Sequence, residues 1–421
     1  MEAEKIEKMF WFLLFAWFVL RCTLLGSQYL GDTDPTVKNE VLKYFSQADI
    51  DAGRKYAMSG FWFKSVYGAL YVFVLVAMLK YGAFAWLWQK ISAMTGTGLF
   101  KNDLVFTIVF FLFLELLSLP SSFYFGYLRE AESGFANIGF WGWLFKFAKS
   151  VAVSMTVETA GVLLLIAVLR WFPVRWPLLV PLIMGLFSLA VTLLFPVLIT
   201  PLFYNQQPLA SGELRNRLLD LAKKSGMEVS EIYVIDESRY SKHTNAYFTG
   251  IGGHRRIVLY DNLITSHTED EALLIFAHEA GHWKHNHVAW GLSLGVMAML
   301  AIALLWHFLF PLLSQVGWFG LENISSAANI PFLVIVVILM QLFTSPIESQ
   351  ISQFMEKQAD LAALELTGLS DAYIAAQVRL SRDNRSELLP APFRVFWLYS
   401  HPPALQRIKM AKASDTWVQF K

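Results

Sequence analysis

The chain has 421 residues, of which 56% are hydrophobic and only 16% charged, against roughly 25% charged in ordinary soluble domains. Lys and Arg (34) nearly cancel Asp and Glu (33), giving a net charge of +1, and the mean hydropathy is +0.45. These values exclude a disordered chain, a soluble enzyme of ordinary make-up, and a nucleic-acid binder that works by bulk positive charge; they predict several membrane spans with a water-facing part attached.

In chain order, apolar runs long enough to cross ~30 Å of hydrocarbon fall at about Met9–Leu25, Phe61–Trp88, Leu104–Phe125, Phe147–Trp171, Trp176–Tyr204, Val288–Ser314 and Ile330–Thr344. The first has no Ala-x-Ala cleavage site after it and reads as an anchor. The last is short and is expected to continue as helix beyond the membrane. With the segments alternating sides, most Lys and Arg fall in 27–60, 126–146, 205–287 and 351–421. The positive-inside rule puts those segments in the cytoplasm. Ionisable residues inside spans (Glu115, Lys149, Glu158, His307) face a bundle interior or water more often than lipid. Glu115 and Glu158, deep in apolar runs, suggest a polar interior. The sole cysteine, Cys22, leaves no disulfide framework and no Cys-based zinc site.

Residues 205–287 read as a small α+β unit. Leu214–Lys224 has helical periodicity, and Glu231–Asp236 is a short strand. Ala246–Thr249 and Ile257–Tyr260 form a hairpin across the turn Gly250-Ile251-Gly252-Gly253. Thr268 with Glu271 three residues on is a capping box, opening a helix over Glu269–His285. The expected organisation is 1–204, five spans with loops; 205–287, the α+β unit; 288–350, spans six and seven; and 351–421, a C-terminal segment.

That helix carries His278-Glu279-Ala280-Gly281-His282, an H-E-x-x-H motif. Residues four apart project from one helix face, so His278 and His282 can hold one Zn²⁺ at about 2.0–2.1 Å. Glu279 lies beside them, placed to take a proton from water at the metal. A catalytic zinc needs a third protein ligand. His285 and His287 follow on the same helix but lie too far along it, and both are read as non-ligands. Glu356 and Asp360 are the better candidates, again four apart, on a helix expected to start at Ser345-Pro346-Ile347-Glu348 and stop at Gly368. Glu356 would be the ligand and Asp360 would accept a hydrogen bond from a ligating histidine. The spacing alone fits two solvated carboxylates equally well.

These motifs, with Ile199-Thr200-Pro201-Leu202-Phe203-Tyr204-Asn205, Asn245-Ala246-Tyr247-Phe248-Thr249-Gly250, Arg256-Ile257-Val258-Leu259-Tyr260-Asp261 and Ser400-His401-Pro402-Pro403 followed by Arg407-Ile408, closely resemble the type 1 CAAX prenyl protease family. The stretch Tyr44-Phe45-Ser46 and Arg54-Lys55-Tyr56 is also similar. The resemblance covers most of the chain. It implies an α-helical polytopic membrane protein in which seven transmembrane helices ring a water-filled chamber, with one Zn²⁺ per chain. It makes Glu356 the third zinc ligand, and Asp360 and Arg407 supports of the ligands. It makes His401 a hydrogen-bond donor to the scissile carbonyl; alone, a histidine before two prolines reads as an exposed loop residue. Asn245, Ala246 and Tyr247 would bind the substrate backbone on an edge strand. The implied partners are the lipid bilayer and a peptide or protein substrate with a prenylated C-terminus, and no nucleic acid. Two stretches depart from the family pattern. Glu130–Ala136 matches only loosely, and Asn262 stands where Thr is usual. The chain ends Trp417-Val418-Gln419-Phe420-Lys421, without an ER-retention signal, so a bacterial-type inner membrane is expected rather than the endoplasmic reticulum.

Two other functions compete with CAAX-type endopeptidase. One is a membrane-protein quality-control metalloprotease acting on non-prenylated substrates. The other is a channel, transporter or scaffold with a degenerate motif, which the full set of ligands and base argues against.

Overall fold

The structure, a computed structural model, describes residues 2–96, 98–227, 229, 231–249, 256–321 and 323–418. Among them, seven helices are long and apolar enough to cross a membrane: Glu2–Leu30, Gln47–Lys80, Phe100–Glu132, Phe140–Trp171, Trp176–Phe203, His287–Leu313 and Ala327–Thr367. Each expected apolar run lies on one of them, but several boundaries move. The first helix begins seven residues before the expected Met9, where Lys8 pairs with Glu4 one turn back. The second span stops at Lys80 and not at Trp88. Gly82 there adopts φ +74°, a left-handed conformation that suits glycine, and a separate helix, Ala83–Thr95, follows.

The helix start expected at Ser345 is overturned. The seventh span and the helix carrying Glu356 are one element, Ile330–Thr367, with Pro346 inside it. Proline has no N–H, so it frees the carbonyl of Leu342. That carbonyl accepts from the Trp397 indole (2.8 Å) and the Ser345 hydroxyl (2.9 Å), which lets the helix run on. It ends where expected, at Gly368 with φ +66°.

At the start of the third span, Asp103 is fully buried. It pairs with Arg170 of the fourth span (2.6 Å) and accepts from the backbone of Ala327 (3.0 Å) at the start of the seventh. One carboxylate thus ties three spans together. A cluster around Phe10, Phe106, Phe110, Phe319 and Phe332 packs beside it.

The soluble unit contains a four-stranded sheet ordered β1-β2-β4-β3. These are β1 (Gln206–Pro208), β2 (Glu231–Ile235), β3 (Ala246–Thr249) and β4 (Arg256–Tyr260). β3 and β4 pair antiparallel, as the expected hairpin requires; its glycine turn, 250–253, lies outside the described residues. β2 and β4 pair in parallel and are central. Ile257, Val258 and Leu259 are consecutive and buried, the continuous apolar run of a strand covered on both faces. β1 was not expected. Pro208 fits it because an edge strand tolerates a missing donor. The sheet packs on Leu218, Leu263, Phe276 and Ala277, the last two from the helix Glu269–Lys284. That helix, the motif helix, also shares a buried cluster with the long helix Ile330–Thr367 and the C-terminal helices, through Leu274, Leu364, Tyr373 and Ala411. Among the described residues, the edge strand β3 pairs on one side only.

Candidate metal centre

The motif helix starts at the expected capping box. The Thr268 hydroxyl accepts from the Glu271 N–H, and the Glu271 carboxylate accepts from the Thr268 N–H at 2.8 Å. Arg379 donates to the other oxygen of Glu271 (3.1 Å), which fixes the cap to a neighbouring helix, Ser370–Asp383. One turn from the far end, the motif helix meets the long helix almost backbone to backbone. A Cβ placed on Gly281 would lie 2.8 Å from both Cα and O of Ala359. The glycine of the motif therefore sets how closely His282 and Glu356 approach.

The crossing brings three donors together. His278 Nε2 lies 3.2 Å from His282 Nε2 and 3.2 Å from Glu356 Oε2, while His282 Nε2 lies 3.4 Å from Glu356 Oε1. Ligands at about 2.0–2.1 Å on a tetrahedral ion are ~3.3 Å apart, so the triangle has the right edge for a metal ion. Glu356 is buried, and its Oε2 has no hydrogen-bond partner among the described residues, an orphaned acceptor that a cation would satisfy.

The outer nitrogens fix the tautomers. His278 Nδ1 donates to Asp360 Oδ1 at 2.9 Å, and Asp360, fully buried, also accepts from Arg407 Nε at 2.8 Å. His282 Nδ1 lies 2.8 Å from His287 Nδ1, and His287 Nε2 lies 3.1 Å from Gln358 Oε1. The amide oxygen can only accept, so His287 bears its proton on Nε2. His287 Nδ1 must then accept from His282, which leaves the lone pair of His282 Nε2 facing the centre. His287 was read as a non-ligand, and its support of His282 was not foreseen. Its partner, Gln358, comes from a different helix, and no local spacing pairs them. His287→Ala is expected to weaken metal binding about 10–100-fold, the usual cost of losing such a partner. Competition with a chromogenic chelator measures it.

Burial opposes a charge on His278, but the carboxylates of Asp360 and Glu356 beside it prevail and hold its pKa up, at about 9. In the metal-free protein at pH 7 the ring is therefore protonated, and a cation has to displace that proton. Metal loading is expected to release about one proton per ion, and affinity to fall about tenfold per pH unit below 9. Calorimetry in two buffers of different ionisation heat reads the proton count directly. No release would contradict this picture.

A cleft of about 150 Å³ opens beside the centre, lined by Asn245, His278, Glu279, Tyr373, His401 and Arg407 among others. Burial pushes the Glu279 carboxyl above its ordinary range, against the opposing pull of His278 and His282. His401 Nε2 lies 3.3 Å from Glu356 Oε1, and its Nδ1 lies 2.8 Å from the Ser400 hydroxyl. Asn245 uses its side-chain oxygen on the Ala246 N–H (2.9 Å) and its carbonyl on the Tyr260 N–H (3.0 Å). Ala246 packs its side chain into the core, so only its backbone can face a ligand.

Both departures from the family pattern fall on the segment leading to Asn245. Asn262 donates to the carbonyls of Ser241 (2.8 Å) and His243 (3.0 Å). Glu130 accepts from His243 (2.9 Å) and Tyr56 (2.6 Å), while Phe135 stacks on His243. Residues from the third span and from the short helix Asp261–Ser266 after β4 thus hold one loop in place.

Two imidazoles on one helical turn, a carboxylate from a crossing helix and a glutamate beside them, at the end of seven spans, define a multi-pass membrane metallopeptidase. Comparison with known proteins is consistent across the chain. The profile of peptidase family M48 matches residues 208–415, and that of the CAAX prenyl protease N-terminal region, five membrane helices, matches 28–205. A CAAX prenyl protease 1 homolog of Oryza sativa is 28% identical, over 91% of each chain. The uncharacterized metalloprotease YhfN of Bacillus subtilis is 27% identical, over 75% of this chain and 74% of its own. The crystal structure of S. mikatae Ste24p superposes with a TM-score of 0.84 at 25% identity, over 95% of this chain and 97% of that one. The chain belongs to peptidase family M48 and is a membrane metalloprotease of the CAAX protease type.

Proposed function

We propose that His278, His282 and Glu356 hold one Zn²⁺ and that the chain removes C-terminal residues from proteins after a prenylated cysteine. The observation that carries the metal reading is the donor triangle with edges of 3.2–3.4 Å around an orphaned buried carboxylate oxygen. Two imidazoles and one carboxylate suit zinc and leave a fourth position open. When bound, the cation supplies a Lewis acid that acidifies water and polarises a carbonyl.

The remaining roles belong to the protein. Glu279 takes a proton from the attacking water and passes it to the leaving amine. With the proton of His401 on Nε2, its Nδ1 accepts from the Ser400 hydroxyl 2.8 Å away and Nε2–H donates a hydrogen bond to the carbonyl oxygen as charge develops there. The free side of β3 and Asn245 hold the peptide extended, as an added strand. Asp360, gripped by Arg407, holds His278 in register. The positive-inside bias supports a cytoplasmic position for this end of the spans. Glu115 and Glu158, within apolar helices, support a water-filled space between them.

A farnesylated CAAX peptide is expected to be cut after the prenylated cysteine by chain carrying one zinc, and to survive when a chelator has stripped it. Mass spectrometry of the products decides the register. Equal cleavage of the unprenylated peptide and of an unfolded membrane protein would assign the chain to quality control instead.

A further inference from the structure

A second cavity, of about 180 Å³, lies away from the metal centre, between the first turns of the fourth span, the end of the fifth and the loop at Arg239. Three cations line it: Lys146, Lys149 and Arg239. None of them forms an ion pair with a carboxylate among the described residues. Lys146 gives one donor to the Tyr204 hydroxyl (3.2 Å) and lies 3.8 Å from the centre of the Tyr240 ring. Lys149 donates to the carbonyl of Leu202, near the end of the fifth-span helix. An ammonium has three donors, so both lysines keep some for a further acceptor. The buried carboxylate of Glu237 lines the neighbouring cavity, which Lys146 also borders, and accepts from Ser241 (2.6 Å); it does not line this one, and the other two cations, Lys149 and Arg239, do not border that cavity.

Ordinary snorkelling explains a lysine near a helix end. It does not explain two lysines that converge on one cavity with an arginine from the soluble loop. The rim of the cavity is apolar and outward-facing, with Phe145 67% and Leu202 51% exposed, and Trp141 at 77% on the same helical turn. Asn205 follows directly and leads into β1, so the cavity sits where the spans give way to the soluble unit. A cationic cup with a greasy rim at that boundary matches a molecule with an anionic head and acyl tails. We propose that this pocket binds the headgroup phosphate of an anionic phospholipid, with its acyl chains along Phe145 and Leu202. Free phosphate would satisfy the cations and leave the apolar rim without a role.

The test uses the full chain in nanodiscs of phosphatidylcholine with about one-fifth phosphatidylglycerol, followed by native mass spectrometry of retained lipid. The parent is expected to retain phosphatidylglycerol over phosphatidylcholine. Lys149→Gln and Arg239→Gln should each cut that preference about fivefold. Arg239→Lys keeps the charge and should keep the preference. Lys90→Gln, on the separate helix Ala83–Thr95, should not change it. Arg239 is exposed and caps no helix, so its variant tests the site even where Lys149→Gln disturbs the fold. Absence of any preference in the parent, or full retention by Arg239→Gln and Lys149→Gln, overturns the proposal. Release of the lipid by millimolar inorganic phosphate overturns the lipid assignment in favour of free phosphate.

Discussion

Glu279→Gln is expected to retain its metal and to lose peptide cleavage by about 10²–10⁴-fold, the usual contribution of a positioned general base. The two halves of this expectation rest on different observations. Glu279 is not one of the three donors that converge at 3.2–3.4 Å, so replacing it leaves their triangle intact. Its side chain lines the cleft and accepts no hydrogen bond from the described residues, so no structural contact is lost. Glutamine keeps the volume and polarity but cannot take up a proton. The loss should therefore appear in kcat with little change in KM. Metal content per chain, measured beside the rate, separates the two halves. A variant that still cleaves at the parental rate excludes Glu279 as the base, and a metal-free variant makes it part of the binding set.

Arg407→Ala is expected to cost about 3–5 kcal/mol of stability, because it strands a buried charge. Asp360 is fully buried, and among the described residues Arg407 is its only cationic side-chain partner besides His278. Burial disfavours the charge on Arg407, but Asp360 beside it holds the guanidinium well above its usual range. Removing the guanidinium leaves a carboxylate in a dry setting that pulls on His278 alone. The melting temperature in detergent should fall and metal affinity with it. Adding Asp360→Asn should recover much of the stability and none of the affinity, since the amide no longer fixes His278 as a carboxylate does. A double variant no more stable than Arg407→Ala would show that packing, and not charge, is what Arg407 supplies.

What could be read from the sequence was whatever is encoded within a few turns of chain. The capping box at Thr268 and the face shared by His278 and His282 are local spacings, and they hold in the fold. The seven spans are long apolar runs, and those are equally local. The ends of the spans were less legible, since a helix end depends on its neighbours. Ser345-Pro346 looks like a start in isolation, yet Trp397 satisfies the freed carbonyl from 55 residues away. Glu356 and Asp360 were ambiguous by spacing because nothing local says which helix they face. The packing of Gly281 on Ala359 settles that. The pairing of His287 with Gln358 went unread for the same reason. So did β1: Gln206 and Gln207 have little strand preference of their own, and Asp236 secures the entry by accepting from the backbone of Asn205 (2.7 Å).

The unbroken helix Ile330–Thr367 makes one rigid rod of two regions that a start at Ser345 would have kept apart. From Leu339, among the buried aromatics of the spans, to Glu356 the rod is about 25 Å long. It is a lever arm. A tilt of about 5° at its embedded end would carry the Glu356 carboxylate ~2 Å, ten times the ±0.2 Å within which a metal bond is made. Continuity of the helix thus joins the embedded segment directly to one of the three donors. The seam where Gly281 meets Ala359, three residues from Glu356, is where the rod is pinned to the motif helix.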